Sequence, residues 1–391
     1  MKRFLLLGLF GFASVTGAVD TCDYEAESVE YTDFPEMEFN EEQWAYFDEM
    51  MDETRPISNE ERWMMDLNKH LMQHEDINIA IVGLNMLNID ADKFDSHNQA
   101  PVLDIKEKQA LLEKVSFSQQ ADYNTLMTAL SLCDESLSES CGSERIKDKI
   151  FKLAPNNINI YLSDLSQAVN EDDAEMVDLI LNRMSQAKYS QMMGALSAEF
   201  KAELDGYLVK NNYPGNMNKE LFDAFGLDDF NADMEELNRQ YLYMSYKMVG
   251  VAHYPVLRPL ITACESYPKT AKKCLSIAQT LQNNSDSILM TMIGYNLETK
   301  VQERMGDQKA VAASEQAAEA FSKYYQCLLV NQTKQDGMSF LTDLELLNMM
   351  NDISHEAKGL EQFAVIHYEK LKKAGVENLT DPKSCGLRYS N

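Results

Sequence analysis

On a helix, two histidines four residues apart share one face, and both imidazoles can turn toward a single metal ion. His70 and His74 have that spacing. A zinc site would need further ligands, from Glu75 or from the acidic stretch upstream, and no pattern shows which carboxylate would approach. The competing reading makes the pair the half-buried, metal-free edge of the stripe formed by Leu67 and Leu71. That reading is preferred, so no metal is expected there. Asp90-Ala-Asp92-Lys-Phe-Asp95 opens like a calcium loop and then departs from one. Phe94 takes a ligand position, Asp95 stands at the turn glycine, and Pro101 stands where the bidentate glutamate is needed. The 23 methionines would suit Cu(I). Leu237, Tyr241, Met244 and Met248, however, follow i, i+4, i+7, i+11, the spacing of a packed helix face. No cofactor is expected.

Motifs of catalysis are mostly absent. The chain has no Gly-x-Ser-x-Gly, no His-Glu-x-x-His, no phosphate-binding glycine loop and no dinucleotide fingerprint. The leading expectation is therefore a protein-interaction or scaffold module without catalysis, with a protein or peptide as partner. The alternative is an envelope hydrolase whose site gathers distant carboxylates with His253, His355 and His367. Tyr243 and Tyr246 stand off the Leu237 stripe. Either they line a groove that receives a peptide or helix, or their hydroxyls satisfy neighbouring helices.

Seven cysteines without a Cys-x-x-Cys point to disulfides in an oxidising compartment, with one thiol left over. A helical stretch reaches Cys133, Cys141 follows, an apolar helix runs to Asn156-Asn157, and a new helix opens. The order returns with Cys264, Cys274 and Asn283-Asn284. The expected pairs are Cys133 with Cys141 and Cys264 with Cys274, each stapling a helical hairpin. Cys327 with Cys385 is the third, tying down the C-terminal tail and leaving Cys22 free. The repetition itself reads as a duplicated hairpin, since a lone pair of short helices cannot bury its apolar face.

Lys2 and Arg3, an apolar run and small residues up to Ala18 have the order of a secretory signal peptide cleaved before Val19, which predicts a periplasmic protein. The apolar run is too short for a permanent anchor, so no membrane insertion is expected. The formal net charge of −28 becomes −30 once residues 1–18 leave. Nucleic acid is excluded as a partner, because phosphate recognition needs a basic patch. Residues 19–61 carry 16 Asp and Glu against one Arg and read as a solvated acidic arm.

These groups hang on a chain of helical signals. Ser58-Asn-Glu-Glu61 is a capping-box pattern ahead of Trp63, Leu67 and Leu71. Asp76 can cap Ile77–Ile89, although β-branched residues weaken that helix. Residues 89–104 read as a loop. Helices are expected near 105–114, 118–133, 143–153, 158–170, 173–187, 190–211, 217–225, 232–250, 255–264, 269–282, 285–305, 308–332 and 340–374. No alternating strand pattern occurs. The fold class is all-α, arranged as stacked antiparallel hairpins. The organisation is 1–18 signal, 19–57 arm, 58–104 N-terminal helical portion and loop, 105–375 helical body, 376–391 tail.

Ala154–Ala187 resembles a degenerate tetratricopeptide unit: Pro155-Asn-Asn, aromatic Tyr161, the acidic turn Glu171-Asp-Asp173, then Val177, Leu181 and Met184. Asp164-Leu165 stand where that family has Leu-Gly. Cys274–Val301 is similar to signal-bearing helical proteins of gammaproteobacteria. The resemblances imply helical-repeat packing and bring no catalytic residues.

Overall fold

The computed structural model describes residues 58–95, 103–133, 141–192, 194, 196–214, 233–251, 257–332 and 340–389, without the side chains of 89–95, 248–251 and 268. The predicted signal peptide, acidic arm, Cys22, helix at 217–225 and His253 lie outside these residues, as do Pro101 and the side chains of the calcium-like segment. Among the described residues the chain is all-α. These residues form fifteen α-helices, and two isolated bridges are the only β pairing among them.

The helices begin where the sequence supplies caps. α1 (Asn59–Met72) starts with the full capping box: Glu61 N–H donates to the Ser58 hydroxyl, and Ser58 N–H donates to the Glu61 carboxylate. α2 (Ile77–Asp95) forms despite its β-branched residues, because nearly its whole first half is buried. It continues to Asp95, inside the stretch expected to be loop. α3 (Ile105–Phe117), α4 (Tyr123–Leu132), α7 (Ala174–Met184) and α13 (Gln308–Leu329) each take an aspartate N-cap. α5 (Ser143–Leu153), α6 (Leu162–Asn170), α9 (Met234–Val251), α10 (Arg258–Ser266), α11 (Ala271–Asn283) and α12 (Ile288–Met305) follow the expected pattern.

Two further expectations are corrected. The helix expected over 190–211 starts only at Ala198, capped by Ser197, as α8 (Ala198–Lys210). The helix expected over 340–374 is two: α14 (Leu344–Asp352) and α15 (Glu356–Lys373). They separate at His355, which adopts an extended backbone (φ −143°, ψ 108°) and accepts from Lys358 N–H through Nδ1. An imidazole N-cap carries no sequence signal comparable to Ser or Asp, so the break was invisible in the apolar spacing.

The chain divides into two compact units, each assembled from separated stretches. The described residues of one fall within 1–149, 194–253 and 332–352. Its core gathers Met64, Leu67, Leu71, Ile79, Met86, Phe200, Leu204, Leu242, Tyr243 and Tyr246. At Gly83 the backbones of α1 and α2 touch: a Cβ there would stand 2.6 Å from Asn68 O and 2.5 Å from Met72 N. The described residues of the other unit fall within 150–193, 254–331 and 353–391. Its largest cluster joins Ile288, Phe321, Tyr324, Tyr325, Leu328 and Leu360. Gly294 gives α11 and α12 the same close approach, since a Cβ added to it would stand 2.8 Å from Ala278 O.

The expected cysteine pairs are all at bonding distance, with Cα separations of 6.0 Å for Cys133–Cys141, 5.8 Å for Cys264–Cys274 and 5.7 Å for Cys327–Cys385. The first joins the end of α4 to the entry of α5, the second joins α10 to α11, and the third fixes the tail to α13.

Candidate functional site

A buried backbone N–H or C=O needs a partner, and an irregular segment inside a helical unit has no ladder to supply one. Residues 188–192 are such an irregular segment, with Ser190 buried at its centre, and both Asn-Asn turns serve it. Asn156 O accepts from Lys188 N–H (2.9 Å) and Tyr189 N–H, while Ile158 N–H donates to Tyr189 O (2.9 Å). From the other turn, Asn284 O accepts from Ser190 N–H (3.0 Å) and Asp286 N–H donates to Ser190 O (3.1 Å). The Asn157 amide has a donor and an acceptor, and it uses both on Gln191, giving Nδ2–H to the carbonyl at 3.1 Å and accepting the N–H at 3.1 Å. Asn159 adds Nδ2–H to the same carbonyl and accepts from the Ser190 hydroxyl. The Asp286 carboxylate receives Met192 N–H on both oxygens.

Glu356 completes this polar centre and is its most perturbed group. Ser287 occupies the N-cap of α12, yet its hydroxyl makes no capping bond. The Glu356 carboxylate, arriving from the first turn of α15, takes that role: Ile288 N–H donates to Oε2 at 2.7 Å. In return, Glu356 N–H donates to Asp286 O at 2.7 Å. Burial pushes the Glu356 carboxyl up to about 7, with the Asp286 charge acting in the same direction; Ile288 N–H and the adjacent Ser287 hydroxyl oppose them. A carboxyl poised near neutrality is what general acid–base chemistry uses. Here it is 7% exposed and aimed at a helix terminus, so the geometry fits a fastener between α12 and α15.

The other unit holds the histidine pair. His70 Nε2 lies 2.6 Å from Glu203 Oε1 and His74 Nε2 3.6 Å from Glu203 Oε2. Asp76 N–H donates to His74 Nδ1 at 3.0 Å. In the neutral ring this leaves the proton on Nε2, directed at Glu203, so the nitrogen a metal would need is already a donor. The helices α1 and α8 are tied by this carboxylate and by ring contacts of Tyr207 with Trp63 and His70. No group of three or more His, Cys, Asp or Glu is placed to hold a metal ion among the described residues.

Tyr243 and Tyr246 do not line a groove. They are 5% and 1% exposed, and their hydroxyls donate to Asp205 (2.6 Å) and Asn68 (2.5 Å). Their positions off the Leu237 stripe put them against α8 and α1 instead of solvent, because α9 is covered on more than one side. Lys247, next in the chain after Tyr246, donates to Met350 O (2.7 Å) and Asn351 O (3.3 Å) at the C-terminus of α14. Burial pushes it down to about 8. Of the hydrolase histidines, His355 is the α15 cap and His367 is buried against Phe363, 12 residues further along the same helix and about 18 Å away. The structure does not bring these two together.

Glu356, Asp286 and Lys247 escaped sequence reading because each is an ordinary charged residue, Glu356 and Lys247 within helices and Asp286 in the turn before α12. The Asn-Asn turns were the one visible signal of the centre. No protein-family model matches the chain, and no curated protein or solved structure matches it.

Proposed function

We propose that the chain is an exported, periplasmic helical-repeat protein that acts as a non-catalytic interaction or scaffold module. One observation carries this reading: the described side chains best suited to chemistry point at the protein's own backbone or at each other. Glu356 holds the α12 terminus, Lys247 the α14 terminus, His355 the α15 terminus, and Glu203 clamps His70 and His74. A catalytic constellation requires a nucleophile and base turned toward a substrate. Three disulfides fit an oxidising compartment, and no helix among the described residues is long and apolar enough to cross a membrane.

The tetratricopeptide-like reading belongs to the same proposal. It is supported by the hairpin of α6 and α7, joined by Glu171-Asp-Asp173, with Val177, Leu181 and Met184 all buried. The two Asn-Asn turns bonding one segment from either side support a duplicated unit. The test is affinity capture from an envelope extract by the tagged, exported protein, whose N-terminus is sequenced in parallel. A start at Val19 and stoichiometric recovery of a protein partner are the expected results. Retained residues 1–18, or hydrolytic turnover abolished by Glu356→Gln, would overturn the reading.

A further inference from the structure

Residues 380–389 are seated like a bound peptide. After α15 the chain turns at Gly375 (φ +82°) and comes back along its own unit. Asn331 brackets Thr380, donating Nδ2–H to its carbonyl at 2.8 Å and accepting its N–H at 2.9 Å. Cys385 is bridged to Cys327, and Leu387 packs against the cluster of Ile288, Phe321, Tyr324 and Leu328. Glu361 on α15 is fully buried. Its Oε1 accepts from the Tyr324 hydroxyl and from Arg388 N–H, and its Oε2 accepts from Tyr389 N–H at 2.9 Å. The Arg388 guanidinium lies over the Tyr324 ring at 4.7 Å, and the Tyr389 ring meets His355 at 5.0 Å.

These are the elements of extended-peptide recognition: main-chain N–H groups paired with a buried acceptor, an apolar side chain in the cluster, and a cation on aromatic faces. A carboxylate is a costly way to fill a core position, and Glu361 draws two of its hydrogen bonds from the tail. Both cysteines of the lock are partly exposed, which in the Cys133–Cys141 bridge is true of Cys133 alone and in the Cys264–Cys274 bridge of neither. Neither Cys327 nor Cys385 is fully buried, whereas Cys141, Cys264 and Cys274 are 0% exposed. Thiol–disulfide exchange needs that access.

We infer that the groove between α12, α13 and α15 is a recognition site for an extended peptide carrying an apolar–arginine–aromatic sequence, closed here by Leu387-Arg388-Tyr389 under the Cys327–Cys385 lock. A dithiol reductant opens it: the sulfur–sulfur bond breaks, the two cysteines take up two electrons and two protons, and the dithiol becomes a disulfide. The inference rests on the interaction-module reading and gives that module its partner chemistry.

The experiment uses the full chain with a protease site inserted between Glu377 and Asn378, on the exposed turn before Thr380. After cleavage the tail is held by the bridge and the groove alone. A fluorescent peptide of residues 382–391 carrying Cys385→Ser is the probe, read by anisotropy with and without dithiothreitol. The expected result is binding only after reduction, with Cys327 and Cys385 alkylated before the buried Cys141, Cys264 and Cys274. Arg388→Ala in the probe, or Glu361→Gln in the protein, should each weaken binding at least tenfold. Absence of binding to the reduced protein, binding indifferent to both substitutions, or loss of helical signal on reduction would each overturn the inference. An envelope partner captured equally by oxidised and reduced protein would leave the module reading standing while removing the groove.

Discussion

Replacing Glu356 by glutamine keeps an oxygen to accept Ile288 N–H and removes the charge that the carboxyl brings to the start of α12. The wild-type group sits at about 7 in the folded protein, from an ordinary value of 4.5, because burial and Asp286 disfavour its ionised form. A carboxyl raised on folding binds its proton more tightly in the native state. Its stabilising contribution is therefore complete below pH 4.5 and is lost as pH rises through about 7. At 1.36 kcal/mol per pKa unit, the loss is on the order of 3 kcal/mol. The groups facing it are Asp286, the Ser287 hydroxyl and Ile288 N–H, with His355 beside it in the chain; none but Glu356 is altered by the substitution. Urea unfolding of wild type and Glu356→Gln from pH 4.5 to 8 isolates the group, since other titrations cancel in the difference. The wild-type minus variant stability should fall by about 3 kcal/mol across that range. Parallel profiles, or a difference that grows with pH, would refute the argument.

The remaining expectations concern packing, bridges and one lysine. Gly294→Ala should destabilise by about 1 to 3 kcal/mol in thermal or urea unfolding, because its Cβ would press on backbone atoms of α11. Gly206→Ala, with nothing within 4 Å in α8, should instead stabilise by about 0.5 to 1 kcal/mol; equal effects at both sites would contradict the close approach. The pair Cys264→Ser with Cys274→Ser should cost about 2 to 3 kcal/mol by releasing the short loop between α10 and α11, and an unchanged melting temperature would count against the bridge. Lys247 should titrate near pH 8 by NMR of its side-chain carbons. A lysine depressed on folding contributes stability that is full above its usual 10.5 and is lost as pH falls through about 8, so Lys247→Met should flatten that alkaline limb.

Helix existence was readable wherever apolar spacing and an oxygen-bearing cap agreed, as at Ser58, Asp104, Asp122 and Asp173. It failed where a cap was an imidazole, at His355, and where a segment took its order from distant partners, at 188–192. The cysteine pairing was legible because short loops at helix junctions leave few geometries for the two local bridges. Between the two readings of the tyrosines, groove lining or hydroxyls satisfying neighbouring helices, spacing could not choose for a physical reason. A helix covered on several sides has no solvent face to mark, so Tyr243 and Tyr246 standing off one stripe said nothing about exposure. Buried charges such as Glu356, Glu361 and Lys247 are defined by what approaches them from elsewhere in the chain, and sequence spacing carries no record of that.

Cysteines and buried polar groups as fasteners of a helical fold in an oxidising compartment can be tested on the exported protein by non-reducing peptide mapping. Cys133 should appear linked to Cys141, Cys264 to Cys274 and Cys327 to Cys385, with Cys22 left as a thiol. A link from Cys133 to Cys264, a bridge that uses Cys22, or six free thiols in those positions would contradict it.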